Sequence, residues 1–245
     1  SPLGHRFFAI DGHSGPSQCF HRRSIDRPRN RTRETEIQAE QRNAIVPPNA
    51  EWHPTPTMSA SSIQPPHQLQ TRRLILRSAR TGDGPALHEA IGASLKEFFP
   101  WLSFSSKLND VETLERVSQI GEREFEQGES YVWRAWEANG LLVGSVDLHS
   151  INRAVPSCEI GYWLRSDRTG EGLAKEFVTA AIEIAHKTLE VVRIEARCDV
   201  RNERAWRLVE RLGFAFEGIA RNEGRDAAGE LCSKKIYALV RSAPQ

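Results

Sequence analysis

A short turn with two glycines, Thr169-Gly170-Glu171-Gly172-Leu173-Ala174, carries the clearest chemical signal in the sequence. An apolar run at 160–164 precedes it and a long helical pattern follows, which predicts a strand, a turn and a helix N-terminus in succession. The first turn of a helix has four backbone N–H groups without helical acceptors, and its dipole favours negative charge. Glycine lets a phosphate approach closely because no Cβ intervenes. The stretch therefore suggests an anion site, although an ordinary helix start with two glycines would look the same.

Composition argues against several other classes of protein. The 245 residues include 33 Lys+Arg and 32 Asp+Glu, a formal net charge of +1, so we expect no broad basic face for duplex nucleic acid. No apolar run approaches the ~20 residues of a membrane span, and we expect no membrane contact. The cysteines are far apart and form no C-x-x-C pair, which predicts a cytoplasmic protein without a metal site or disulfides. They are Cys19, Cys158, Cys198 and Cys232.

Residues 1–70 differ from the remainder of the chain. They hold nine of the 13 prolines and show no sustained apolar periodicity, so they would bury too little surface to offset the entropy of ordering. We predict a disordered extension over 1–70 and one folded domain over 71–242. The only methionine is Met58. Either translation starts there and residues 1–57 are upstream or added sequence, or these residues form a genuine basic tail.

The remaining pattern predicts a sheet covered by helices. Asp83 with Pro85, and Asn109 with Glu112 as a capping box, mark two helix starts, and Asn139-Gly140 marks a hairpin. Further helices follow Gly172 and Asn202. Apolar and β-branched runs predict strands at 74–76, 131–137, 141–148, 158–164, 193–200, 214–219 and 236–240. This order indicates an α/β (α+β) fold, with a mixed central sheet of six to seven strands flanked by about four helices.

Three sequence blocks in this order resemble the GNAT acetyltransferase superfamily, and within it the RimJ/RimL-type ribosomal-protein N-acetyltransferases. The first block is Glu159-Ile160-Gly161-Tyr162-Trp163-Leu164, leading into the glycine turn. The second runs from Asn202-Glu203-Arg204-Ala205 to Arg211-Leu212-Gly213-Phe214. The third, Phe99-Pro100-Trp101-Leu102, is similar to an aromatic loop of that branch. The likeness covers about residues 71–240 and implies a GNAT fold.

The resemblance also implies acetyl-CoA as cosubstrate, bound between two splayed strands of which one ends at Leu164. Backbone groups of Trp163 and Leu164 would pair with the pantetheine arm, the turn would hold the pyrophosphate, and Asn202 would contact the cofactor while capping its helix. The family usually has Gln or Arg where Thr169 stands. Arg168, one residue earlier, either turns towards the phosphates or is a solvated loop residue. The implied binding set is Trp163, Leu164, Arg168, Thr169, Gly170, Glu171, Gly172, Leu173, Ala174 and Asn202.

Acetyl transfer to an amine requires a proton acceptor. The resemblance suggests Glu159, at a position where several superfamily members have a glutamate base. The alternative for Glu159 is an ordinary ion pair with an arginine such as Arg197. Asp147, on the preceding predicted strand, is the reserve candidate for the base.

The proton donor for the leaving thiolate is less evident. The positions where the family has a serine or a tyrosine hold Ala205 and Val209, neither of which can donate a proton. Water could suffice because a thiol pKa is only ~8.5. Cys198 and Tyr237 are weaker candidates.

Phe99 and Trp101 could line the acceptor pocket or pack between helices. We expect direct transfer of an acetyl group from acetyl-CoA to a primary amine, with Glu159 as base, and the branch resemblance favours a protein N-terminal amine. The alternatives are a GNAT enzyme for a small amine, such as an amino acid or an antibiotic, and a noncatalytic acyl-CoA-binding module. The sequence is compatible with a monomer or a homodimer.

Overall fold

The computed structural model describes residues 64–98, 101, 110–226 and 228–241. These residues form eight strands and five α-helices. The strands are β1 (Gln68–Gln70), β2 (Leu74–Ser78), β3 (Tyr131–Glu137), β4 (Leu142–Asn152), β5 (Ser157–Leu164), β6 (Arg193–Asp199), β7 (Ala215–Arg225) and β8 (Leu231–Val240). The helices are α1 (Gly84–Gly92), α2 (Leu95–Phe98), α3 (Val111–Gln127), α4 (Leu173–Lys187) and α5 (Glu203–Arg211).

All eight strands belong to one sheet, in the order β1-β2-β3-β4-β5-β6-β8-β7. Neighbouring strands are antiparallel except β5 and β6, which are parallel and joined through α4. A parallel pair requires such a crossover, because its two strands start at the same end of the sheet. The prediction of a mixed sheet covered by helices is confirmed. The sheet has eight strands where six to seven were predicted, and there are five α-helices where about four were predicted.

The core positions the two halves of the sheet around the β5–β6 junction. One apolar cluster joins α4 to the sheet through the fully buried Phe177, Val178 and Ala181. A second cluster packs Leu87 of α1 and Leu114 of α3 against Trp163 of β5. Helix α4 therefore packs on β4 and β5, on one side of the junction, and α1 and α3 support the end of β5.

Two predicted helix starts need correction. Asp83 precedes α1, but its carboxylate accepts hydrogen bonds from the Arg77 guanidinium at 2.6 and 3.0 Å instead of capping the helix. Helix α3 is capped by Asp110, whose carboxylate accepts from the backbone N–H of Thr113 at 2.6 Å. The predicted capping box was thus one residue early, and Asn109 itself lies outside the described residues.

The described structure includes residues before 71, where the folded domain is expected to begin. Strand β1 pairs with β2 from Gln68 onward, and the Trp133 indole donates to the carbonyl of Pro66 at 3.0 Å. Residues 1–63, which include Met58, lie outside the described ranges. Within those ranges, none of the helices has the length and apolar character needed to cross a bilayer.

Candidate active site

Strands β5 and β6 separate partway along their length. Their parallel pairing runs only from Ser157↔Arg193 to Glu159↔Glu195, whereas β5 continues to Leu164 and β6 to Asp199. Beyond Glu159 the edge of β5 that faces β6 is therefore free of ladder partners in the described part of the chain. A cleft of about 750 Å³ lies at this separation. An extended ligand could add to the free edge of β5 as a further strand would.

Side chains from both faces of the sheet line the cleft. Successive side chains of a strand point to opposite faces. Tyr162 faces α5, where its hydroxyl donates to the carbonyl of Ala205 at 2.7 Å. Trp163 faces the other way and meets Phe98 edge to face, with ring centroids 5.7 Å apart. Because residues on both faces line the cleft, a ligand lying against α4 and α5 could present one end to groups on the opposite face.

The glycine turn forms one wall of this cleft. Gly170 and Gly172 have φ of +86° and +79°, a region that residues with a Cβ adopt at a cost. Gly172 is the N-cap of α4, and no side chain among the described residues caps this helix start. The first backbone N–H groups of α4, which have no helical acceptors, are thus left for an anion. This arrangement fits the pyrophosphate of acetyl-CoA.

Side chains from the connection between β1 and β2 hold the turn in place. Arg73 donates to the carbonyl of Glu171 at 2.9 Å and to the carboxylate of Glu176 at 2.7 Å. Thr71 donates to the same carboxylate at 2.6 Å. Burial raises the pKa of Glu176, but the hydrogen bonds from Thr71 and Arg73 outweigh it and the pKa is lowered. The first turn of α4 is therefore fixed by an ionised carboxylate.

Four ionisable side chains lie in a row where β5 and β6 part. The Asp147 carboxylate is 2.6 Å from Nδ1 of His149, and Nε2 of that ring is 3.6 Å from the Glu159 carboxylate. The same Glu159 oxygen is 3.7 Å from Nε of Arg197. His149, Glu159 and Arg197 line the cleft, whereas Asp147 lies behind them and is only 3% exposed.

Negative and positive charges alternate along this row. Burial lowers the pKa of His149, but the charge of Asp147 and its hydrogen bond, together with Glu159, raise it to about 9. Burial raises the pKa of Glu159, but the adjacent imidazole of His149 and the charge of Arg197 lower it below the ordinary value of 4.5. Near neutral pH, Glu159 is therefore an ionised carboxylate at the edge of the cleft and can accept a proton.

Comparison with known proteins identifies the family. Residues 73–215, more than half of the chain, match the family described as "Acetyltransferase (GNAT) domain". This chain belongs to the GNAT acetyltransferases. The resemblance to RimJ/RimL-type enzymes is also confirmed, because one relative and one structural neighbour are named as acetyltransferases of ribosomal proteins.

Three similar proteins illustrate the range of this GNAT chain's relatives. "Probable N-acetyltransferase YjcK" of Bacillus subtilis is 34% identical over 132 residues, which are 51% of this chain and 72% of the relative. The ribosomal protein uS5-alanine N-acetyltransferase of Escherichia coli is 26% identical over 162 residues, 64% of this chain and 83% of the relative. The structure described as RimL, a ribosomal L7/L12 alpha-N-protein acetyltransferase in complex with coenzyme A, has a TM-score of 0.68 at 20% identity. The match covers 72% of this chain and 99% of the RimL chain, and it shows that the two chains share a fold.

Most of the implied cofactor residues line the cleft of this GNAT domain, and three do not. Arg168 is turned away, with Nε 3.1 Å from the Glu137 carboxylate. The carbonyl of Glu171 is held by Arg73, and its side chain is exposed outside the cleft, while Leu173 is 2% exposed in the core. The predicted residues found in the lining are Trp163, Leu164, Thr169, Gly170, Gly172, Ala174 and Asn202.

Sequence reasoning missed several basic residues of the lining. Lys175 lies in the first turn of α4, beside the glycine turn. Arg204, Arg207 and Arg211 of α5 also line the cleft. Their spacing of three and four residues places them along one face of a helix, a signal that the sequence contained. These cations suit a phosphorylated ligand.

Of the positions discussed for the proton donor, Ala205 and Cys198 line the cleft, whereas Val209 and Tyr237 do not. Asn202 caps α5 by accepting from the N–H of Ala205 at 3.2 Å, and both residues line the cleft. Val209 is fully buried in the core. Cys198 is in the lining, but burial raises its pKa to about 12. The Tyr237 hydroxyl, outside the lining, donates to Glu210 at 2.8 Å.

The aromatic loop is described only at Trp101, because Phe99 lies outside the described residues. Trp101 lines the cleft together with Phe98 and Glu97. The guanidinium of Arg201 lies 5.8 Å from the centre of the Trp101 ring. The described ranges contain no group of three or more His, Cys, Asp or Glu side chains that could hold a metal ion.

Proposed function

We propose that this GNAT chain transfers the acetyl group of acetyl-CoA to the α-amine of a protein N-terminus, with Glu159 as the base. One observation carries the proposal. The glycine turn at the start of α4 and the Glu159 carboxylate border the same cleft, which opens where β5 leaves β6. A wall that suits a phosphate and a carboxylate that can accept a proton, both in one cleft, are what acetyl transfer from a CoA thioester to an amine requires.

Binding and orientation come from the backbone. The N–H groups at the start of α4, with Lys175 beside them, would hold the pyrophosphate. The free edge of β5 around Trp163 and Leu164 would pair with the pantetheine arm. Both contacts would place the reacting end of the cofactor at the strand separation. Acetyl-CoA, when bound, supplies an activated thioester carbonyl.

Proton transfer falls to Glu159. An acceptor amine reaches the site largely protonated near neutral pH, since an α-amino group has a pKa of about 7.7–8.0. The ionised Glu159 carboxylate would remove a proton, directly or through a water, and so free the nitrogen lone pair for attack. The leaving thiolate needs less help, because its conjugate thiol has a pKa of only about 8.5. This is consistent with the methyl group of Ala205 in the cleft where the family has a serine.

The acceptor class is supported by the relatives and by the shape of the site. One of them, 26% identical to this chain, is named as an alanine N-acetyltransferase of ribosomal protein uS5. The side of the cleft around Trp101 and Phe98 is aromatic and bordered by Glu97. Aromatic side chains and a carboxylate suit the first residues of a cationic peptide.

The test is acetylation of synthetic peptides with acetyl-CoA, read by mass spectrometry that locates the added acetyl group. One peptide begins with alanine, and a matched peptide has a blocked α-amine and an internal lysine. We expect acetylation at the free α-amine alone. Turnover with free amino acids or aminoglycosides instead would favour a small-molecule acceptor. Micromolar acetyl-CoA binding without a single turnover on any of these amines would favour a noncatalytic acyl-CoA-binding module.

We also propose that the protein acts in a reducing compartment. Three free thiols, Cys158, Cys198 and Cys232, are buried in the described residues. Cys198 also lines the cleft, where a disulfide with CoA would block the site. Labelling of free thiols in protein taken from its native cells would show all three reduced.

A further inference from the structure

His149 occupies a position that acetyl transfer by itself does not explain. It lies on β4 directly across from Glu159 of β5, so both side chains are on the same face of the sheet. One ring nitrogen contacts Asp147 at 2.6 Å. The other, Nε2, is buried, has no hydrogen-bond partner within the described ranges, and points at the Glu159 carboxylate from 3.6 Å. The ring therefore spans the gap between a buried carboxylate and the one at the cleft.

We propose that His149 is a positioning residue, which links the Glu159 carboxylate to the buried Asp147 and so fixes it at the strand separation. The inference rests on the proposed role of Glu159 as base. A carboxylate on a strand edge has several rotamers, and only some of them face a cofactor lying beyond the edge. A cationic imidazole held by a second carboxylate restricts Glu159 to the rotamers that meet Nε2.

The charges around this link come from every neighbouring strand. The Arg134 guanidinium of β3 is buried, donates to Ser145 at 3.1 Å and interacts with the Asp147 charge. On the other side, Arg197 of β6 is 3.7 Å from Glu159 but is also held by two further carboxylates. The charged and polar groups that face His149, Glu159 or their immediate partners are Arg134 of β3, Asp147 and Ser150 of β4, Arg197 and Glu195 of β6, and Glu223 of β7.

This arrangement makes His149 the main cationic neighbour of Glu159. Arg197 is shared, because it also bonds Glu195 at 2.7 Å and Glu223. If His149 lost its charge, burial would act on Glu159 with only that shared arginine to oppose it. The carboxylate would then take up a proton at a higher pH, so that a smaller fraction of it would be ionised and available as a base as the pH falls.

The test is a carbon-13 NMR titration of the Glu159 side-chain carboxyl in the full chain, assigned by its loss in Glu159→Gln. In the wild type we expect a midpoint below 4.5. In His149→Gln, which keeps an amide donor but no positive charge, the midpoint should rise by about one pH unit or more. Glu195→Gln removes a nearby carboxylate that does not contact His149 and should produce no rise. An unchanged Glu159 midpoint in folded His149→Gln would overturn the proposal.

A second variant tests the buried end of the link without altering the ring. Asp147→Asn keeps the shape of the side chain but removes its charge. The imidazole of His149 should then titrate about two pH units or more below the wild-type midpoint of about 9. A His149 midpoint that stays at the wild-type value would show that Asp147 does not hold the ring, and would also overturn the proposal.

A kinetic measurement separates this inference from the proposed function. With acetyl-CoA and the alanine peptide as probes, His149→Gln should lower kcat about tenfold, with the loss growing as the pH falls, and leave acetyl-CoA affinity unchanged. A purely structural role would lower kcat equally at all pH values, which would count against positioning. If Glu159→Gln kept full kcat, the proposed base would be wrong, while the two NMR midpoints would still decide whether the link exists.

Discussion

Glu159 on β5 and Glu195 on β6 are the last paired residues of the parallel ladder, and the cleft opens directly beyond them. One carboxylate lines the cleft and the other does not, although both are next to Arg197. Because β5 and β6 separate beyond these two residues, Glu159 can reach a ligand in the cleft and Glu195 cannot.

The glycine turn should be required for acetyl-CoA binding. Gly170→Glu forces a residue with a Cβ into φ near +86° and adds a carboxylate beside the proposed pyrophosphate, so we expect affinity to fall about tenfold or more. Isothermal titration calorimetry with acetyl-CoA measures this. Gly140→Glu is the matched control, because its φ is +85° in the β3–β4 turn, outside the cleft. Equal affinities in the two folded variants would contradict the phosphate site.

The cation that serves the turn should be Lys175 rather than Arg168. Lys175 lines the cleft, whereas the Arg168 guanidinium is held by Glu137 at 3.1 Å. We expect Lys175→Ala to weaken acetyl-CoA binding about threefold to tenfold at low salt, with a smaller effect at high salt. Arg168→Ala should leave the affinity unchanged. The reverse order of effects in titrations at two salt concentrations would show that Arg168 turns into the site.

Trp101 should contribute to acceptor binding. Its ring lines the cleft and is close to the Arg201 guanidinium. We expect Trp101→Ala to raise the KM for the alanine peptide about tenfold and to leave acetyl-CoA affinity unchanged. Phe216→Ala removes an exposed aromatic residue outside the cleft and serves as control. A loss of thermal stability with an unchanged KM would assign Trp101 to packing.

Glu176 should stabilise the fold in a pH-dependent way. Its pKa is lowered in the folded protein, so its contribution is present above 4.5 and is lost as pH falls through the lowered folded value. We expect Glu176→Gln to lower the free energy of unfolding by about 1–2 kcal/mol at neutral pH, and by less in acid. Urea denaturation at several pH values measures this. Glu183→Gln, which breaks an exposed pair with Lys187, should cost about 0.5 kcal/mol or less.

The fold could be predicted in outline because its signals are local. The Asn139-Gly140 hairpin, the apolar stripe of α3 and the glycine turn each depend on neighbouring residues, and the structure contains all three elements. Errors of one to a few residues occurred where two adjacent polar residues could each cap a helix, as at Asp110, or where a strand was as short as β1. Pairing across the sheet, rather than propensity, decides such boundaries.

The site was predictable only where one segment supplies it. The sequence leaves Arg168 either at the phosphates or in solvent, because its partner Glu137 lies on β3, 31 residues away. His149 carries no motif, and its importance arises from its register opposite Glu159 and from Asp147 two residues earlier. Asp147 is the reserve candidate for the base by sequence, but the structure places it behind His149 and out of the cleft. Strand register determines these contacts, and the sequence pattern alone does not reveal it.

The most direct test of the account is Glu159→Gln, with kcat and the acetyl-CoA dissociation constant measured on the same folded protein. We predict a fall in kcat of about 100-fold or more, because the amine loses its proton acceptor, and an unchanged dissociation constant. Glu195→Gln, the adjacent carboxylate outside the cleft, should retain kcat. Full turnover by folded Glu159→Gln at saturating peptide and acetyl-CoA would contradict the role of Glu159 as the base.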